Sequence, residues 1–112
     1  MIAIAVTENL LLYSRIESAA AQAGARLLRI VDPGRLPPAD EVDLVLVDWT
    51  ELEPGRKKAL ADWRARARER APRLVLYGAH TDLQAHEDAK VNGLGPMWAR
   101  SRLIRELPDL LG

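Results

Sequence analysis

Short apolar runs alternate with amphipathic stretches along the whole chain. Ile2-Ala3-Ile4-Ala5-Val6 is apolar at every position, the pattern of a strand covered on both faces in a parallel sheet. Thr7-Glu8-Asn9 follows with turn and helix-capping chemistry. From Leu10 to Ala23 the residues Leu12, Ile16, Ala19 and Ala23 recur at steps of four, three and four. That spacing predicts one buried face of a helix, and Gly24 supplies its stop. Arg26 to Val31 reads as a second strand. Asp32-Pro33-Gly34 and Leu36-Pro37-Pro38 then break any regular helix. Val42 to Val47 predicts a third strand, ending at Asp48.

Only about ten residues separate the second and third strands, barely enough for a crossover with a helix in it. A single turn or an extended connection is expected there. Glu53-Pro54 opens a long helix with Leu60, Trp63 and Ala67 inward, ended by Ala71-Pro72. Arg73 to Tyr77 predicts a fourth strand, and Asp82 caps a modest helix to Val91. Met97-Trp98-Ala99 is a very short fifth strand. Ser101 is expected to cap a last helix carrying Leu103, Ile104 and Leu107, with Pro108 interrupting it. Strands alternating with helices imply a parallel sheet with right-handed crossovers. Five strands at this size favour an α/β flavodoxin-like three-layer sandwich, strand order 2-1-3-4-5, with the helix between strands 2 and 3 shortened or lost.

Composition narrows the picture. A length of 112 residues suits one domain spanning 1–112. With no Phe and only five aromatics (three Trp, two Tyr), the core must be mainly Leu, Val, Ile and Ala. Lys plus Arg and Asp plus Glu are 16 each, so no global field points to nucleic acid or an anionic membrane. Cys is absent, which removes disulfides and thiolate chemistry and fits a cytoplasmic location. No segment approaches the roughly 18 apolar residues of a membrane span. The apolar N-terminus lacks a basic leader and reads as a strand, not a signal peptide.

Asp43-Leu44-Val45-Leu46-Val47-Asp48 is an apolar strand ending in a carboxylate. Gly78 comes thirty residues later, in Val75-Leu76-Tyr77-Gly78-Ala79-His80, and Arg100 twenty-two residues after that. With these spacings the chain resembles the receiver domains of bacterial two-component response regulators over nearly its whole length. The resemblance implies that Asp48 stands at the phosphoacceptor position. It also implies a pocket of Thr7, Glu8, Gly78 and Arg100 around it. Receivers usually carry an acidic pair where Thr7 and Glu8 stand, a Ser or Thr at Gly78, and a Lys at Arg100. Three of these five site residues are therefore altered, and only Asp48 and Glu8 keep their chemical type.

Aspartyl phosphate forms by in-line attack of a carboxylate on a phosphoryl group, with Mg²⁺ normally cancelling the repulsion. Glu8 and Asp48 are the candidate metal ligands, and Thr7 adds a weak oxygen, so only weak magnesium binding is expected and no other cofactor. Arg100 is permanently charged and is expected to ion-pair with Asp48 or Glu8 without a metal. Gly78 has no side chain to relay a signal to Met97, so the usual switching relay of the family is broken.

The expectation is a stand-alone, non-enzymatic signalling and interaction module: a pseudo-receiver that docks on a protein partner or on itself. Met97, Trp98, Arg102 and Arg105 are the candidate docking residues. The alternative is a genuine Mg-dependent phosphoacceptor using Asp48, Glu8 and Arg100. A second alternative is a nucleic-acid-binding surface from the basic residues between Arg56 and Arg73, which lacks any stacking aromatics or recognition motif. His80, Asp82, His86, Glu87 and Asp88 fit no established metal spacing. There is no dinucleotide fingerprint, P-loop or nucleophile elbow.

Overall fold

The computed structural model describes residues 1–112. Five parallel strands form one sheet: β1 (Ile2–Val6), β2 (Arg26–Ile30), β3 (Leu44–Asp48), β4 (Arg73–Gly78) and β5 (Met97–Ala99). Their order is β2-β1-β3-β4-β5, so the most apolar strands, β1 and β3, are central. Four helices cover the sheet: α1 (Leu10–Ala23), α2 (Pro54–Ala65), α3 (Leu83–Val91) and α4 (Arg100–Leu111). No helix is long and apolar enough to cross a membrane.

The period-two pleat divides the core into two layers. Leu44 and Leu46 of β3 pack with Val75 and Tyr77 of β4 beneath Leu12 and Ile16 of α1 and Leu103 and Leu107 of α4. Val45 and Val47 face the other way, with Leu76, Met97, and Leu60 and Trp63 of α2. Asp48 shares the parity of Leu44 and Leu46. It therefore leaves β3 on the α1/α4 side, at the edge where the strands end.

The link between β2 and β3 holds only two 3₁₀ turns, Pro33–Arg35 and Ala39–Glu41, as its length and prolines required. Ala39 and Val42 plug the core in place of a helix, and the Trp63 indole donates to Pro37 O at 2.7 Å.

Several details differ from the sequence reading, among them the ends of β2 at Ile30 and of β4 at Gly78, each one residue from the expected position. β3 begins at Leu44, not Val42, because Val42 closes the preceding 3₁₀ turn. α2 stops at Ala65, not Ala71. The Asp40 carboxylate accepts the backbone N–H groups of Arg68, Glu69 and Arg70, which draws that segment out of helix. Ser101 is not a cap: α4 starts at Arg100 directly from β5, with Ala99 at the N-cap and no side-chain cap bond. Pro108 does not interrupt α4. Its ring costs one intrahelical bond, while Leu107, Leu110 and Leu111 around it are buried and hold the last turn in place.

Candidate functional site

A cleft of about 320 Å³ opens at the carboxyl ends of β1 and β3, lined in part by Thr7, Glu8, Asp48, Glu51, Arg56 and Arg100. This is where open parallel sheets generally place their ligands, beside the switch in strand order. Asp48 forms its floor and is 3 % exposed. Its Oδ2 accepts from the Thr7 hydroxyl at 3.1 Å. Thr7 Oγ1 in turn accepts the Asn9 N–H at 3.0 Å, and Asn9 caps α1 by accepting from Leu12 N. The turn after β1 thus fixes the hydroxyl that holds the carboxylate.

Asp48 Oδ1 has no hydrogen-bond partner, and neither has Arg100 Nε. The Arg100 guanidinium bridges two carboxylates at arm's length, 4.0 Å from Asp48 Oδ1 and 4.0 Å from Glu51 Oε1. These are Coulombic approaches, not hydrogen bonds. Burial pushes the Asp48 carboxyl above its ordinary range; the Thr7 bond and the Arg100 charge oppose that shift, and Glu51 adds to it. Beside it in the β3–β4 register stands Tyr77, whose phenol is fully buried without a hydrogen-bond partner. Burial first, then the Asp48 charge, pushes that phenol up.

Gly78 ends β4, and its missing side chain has a specific cause. A Cβ there would lie 2.0 Å from Thr50 Oγ1, 2.8 Å from Thr50 Cβ and 3.1 Å from Met97 Sδ. Thr50 fills the space that a residue-78 side chain would need. Its hydroxyl accepts the Ala79 N–H at 3.1 Å and lies 3.6 Å from Met97 Sδ.

Thr7, Glu8, Asp48 and Arg100 meet at the cleft, and Gly78 lies behind it against Thr50. Glu8 is exposed and makes no ion pair, so Arg100 approaches Asp48 and Glu51, not Glu8. No group of three or more His, Asp or Glu side chains is placed to hold a metal ion. The donor set fits a magnesium ion poorly: the one buried carboxylate lies 4.0 Å from a permanent cation. The histidine-rich segment has other uses. His86 Nε2 contacts His80 O, Asp82 caps α3, and Asp88 binds Lys57 and Gln84.

Among the docking candidates, Met97 is corrected. It is buried in the α2/α3 layer because β5 turns that side chain inward. Trp98 points the opposite way and is half-buried, with the exposed Arg102 guanidinium 4.0 Å from its ring centroid. Arg105 is exposed on the same helix. Of the basic residues between Arg56 and Arg73, five are engaged locally. Arg56 pairs with Glu53, Lys57 with Asp88, Lys58 with Asp62 and Arg70 with Asp43, while Arg64 donates to Pro72 O.

The sequence reading missed Thr50 and Glu51 and placed Arg56 only on the basic surface; they come to the site from the loop after β3 and the first turn of α2. Trp49, next to Asp48, turns into the opposite layer, where its indole donates to Ala85 O at 2.8 Å. Strand parity held the signal for Trp49, since it follows Val45 and Val47. Nothing local marks Thr50, whose role depends on the β3–β4 register.

The chain is similar in structure to a response regulator from Thermotoga maritima. The TM-score is 0.67 at 13 % identity, over 98 % of this chain and 96 % of that one. The fold is that of a response-regulator receiver. No family profile matches the sequence, and no curated protein matches it.

Proposed function

We propose that the domain is a protein-docking module of receiver architecture whose Asp48 pocket does not run the usual phosphorylation cycle. One observation carries this reading: Thr50 fills the space of a residue-78 side chain. The hydroxyl nearest β5 is thereby already bound to Ala79 N and set against Met97. Moving it would break that bond. Arg100 meanwhile keeps a permanent positive charge 4.0 Å from Asp48.

The docking surface in this reading is the outer side of β5 and α4. Trp98 with Arg102 stacked on it forms a rigid amphipathic patch, with Arg105 one turn along. Aromatic and arginine side chains are those that dominate protein–protein contacts. The occupant is another protein or a second copy of the chain.

A second reading is favoured by Asp48 Oδ1, a carboxylate oxygen without a partner at the cleft floor. As a phosphoacceptor, Asp48 would attack a phosphoryl group through that oxygen, with Arg100 neutralising the developing charge. Intact-mass measurement after incubation with acetyl phosphate, with and without Mg²⁺, separates the two. The docking reading expects no phosphoryl adduct under either condition. An adduct that disappears in Asp48→Asn would establish the second reading. A photo-crosslinking residue at position 102 then tests the surface. Discrete crosslinks from 102, absent from a control at Glu17 on α1, are expected; equal labelling at both positions counts against the patch.

A further inference from the structure

Two buried polar atoms of opposite character line the same cleft, and neither is satisfied. Asp48 Oδ1 is an acceptor without a donor, and Arg100 Nε is a donor without an acceptor. The two side chains face each other at 4.0 Å, Nη2 to Oδ1, too far for a direct hydrogen bond. Buried groups left in this condition are destabilising, and a ligand that serves both would relieve that cost.

The rest of the lining repeats this duality. Glu8 and Glu51 add carboxylates, and Arg56 adds a second guanidinium. Glu8 has no ion pair, and Glu51 has only the 4.0 Å approach to Arg100. Leu52 and Val31 add apolar wall. The volume, about 320 Å³, lies at the small end of the range for small-molecule sites. Arg100 is 42 % exposed along its side chain and is held by no hydrogen bond, only by the two 4.0 Å approaches.

We infer that the cleft binds a small zwitterion of the α-amino-acid class, its ammonium received by Asp48 and its carboxylate by Arg100. Ligands of a single sign fare worse. An inorganic anion would satisfy Arg100 but meet Asp48, Glu8 and Glu51. A simple cation would satisfy Asp48 but meet Arg100 and Arg56. An α-amino acid carries both charges on one carbon, a spacing suited to a carboxylate and a guanidinium set this close. The short apolar wall favours a small aliphatic side chain. This goes beyond the docking role and is independent of it, since a domain that docks through Trp98 can also hold a ligand at Asp48.

The test is titration of ¹⁵N-labelled protein with L-alanine, using N-acetyl-L-alanine and L-alaninamide as controls that each carry one charge. Saturable shifts of the backbone amides of Thr7, Glu8 and Arg100 are expected with L-alanine, and at least about tenfold weaker binding for either control. Asp48→Asn and Arg100→Met should each weaken L-alanine binding by a similar factor while keeping a dispersed, folded spectrum. If either variant fails to fold, the comparison of the three ligands on the parent protein decides. Failure of L-alanine, L-valine and glycine to produce saturable shifts up to about 10 mM would overturn the inference. So would equal binding of the controls, which would leave water as the bridge between the two atoms. The acetyl phosphate experiment is unaffected by either outcome, so the two proposals fail separately.

Discussion

Replacing Gly78 by Ala places a methyl group where Thr50 already stands. The new Cβ would lie 2.0 Å from Thr50 Oγ1, about 1 Å inside the closest approach such atoms make, and 2.8 Å from Thr50 Cβ. Rotating the Thr50 hydroxyl away relieves the first clash but breaks its bond to Ala79 N. It leaves the second clash intact, so the backbone of β4 or of the loop after β3 must also move. Overpacking of this kind costs roughly 1–3 kcal/mol, and the lost hydrogen bond about 1 kcal/mol. The reduced freedom of Ala in the unfolded chain returns roughly 0.5–1 kcal/mol. The net expectation for Gly78→Ala is a loss of about 1–3.5 kcal/mol, or at its middle a Tm lower by roughly 10 °C. Thr50→Ala alone should cost about 1 kcal/mol. In the double variant the Oγ1 clash is gone, so the two losses should fall short of their sum by about 1 kcal/mol or more. Urea unfolding of the four proteins, followed by circular dichroism and Trp fluorescence, measures this cycle. Gly78→Ala within about 0.5 kcal/mol of the parent, or losses that add within that margin, would refute the interlock. The docking reading would lose its carrying observation with it.

Two further outcomes follow from groups whose ionisation is shifted. Burial raises the Asp48 carboxyl, so the folded state binds its proton more tightly than the unfolded chain does. Stability therefore falls as pH rises from the ordinary value of 3.8 through the raised one, and the penalty persists above it. Asp48→Asn keeps an acceptor for Thr7 and removes the buried charge. It should resist urea better than the parent at pH 7, the gain vanishing below pH 3.8, and equal midpoints at pH 7 would contradict this. Asp40 is the opposite case: backbone N–H groups of Arg70, Glu69 and Arg68 hold its carboxyl below the usual range. Its contribution is present above the unfolded value and lost as pH falls through the folded one. Asp40→Ala should release the segment after α2 and speed trypsin cleavage at Arg66, Arg68 and Arg70, read by mass spectrometry of early fragments. Unchanged cleavage rates there would show that Asp40 does not hold the segment.

Local sequence determined the elements, because burial on a sheet or helix writes a period of two or of three to four into the chain. The apolar runs Ile2–Val6 and Leu44–Val47 marked the central strands, and the prolines between Asp32 and Pro38 predicted the missing crossover helix. The spacing of Asp48, Gly78 and Arg100 was enough to suggest the fold, since strand ends in a parallel sheet converge at one edge. What no local pattern held was the set of contacts made across that edge. The end of α2 depends on Asp40, some 28 residues from the amide it binds. The reason for Gly78 is Thr50, brought against it when β3 and β4 pair Asp48 with Tyr77. Met97 turns inward while Trp98 stays half-exposed, through the pleat of a three-residue strand. Each of these is decided by register between distant segments, where one residue's shift would present the other face, so tertiary structure alone fixes it.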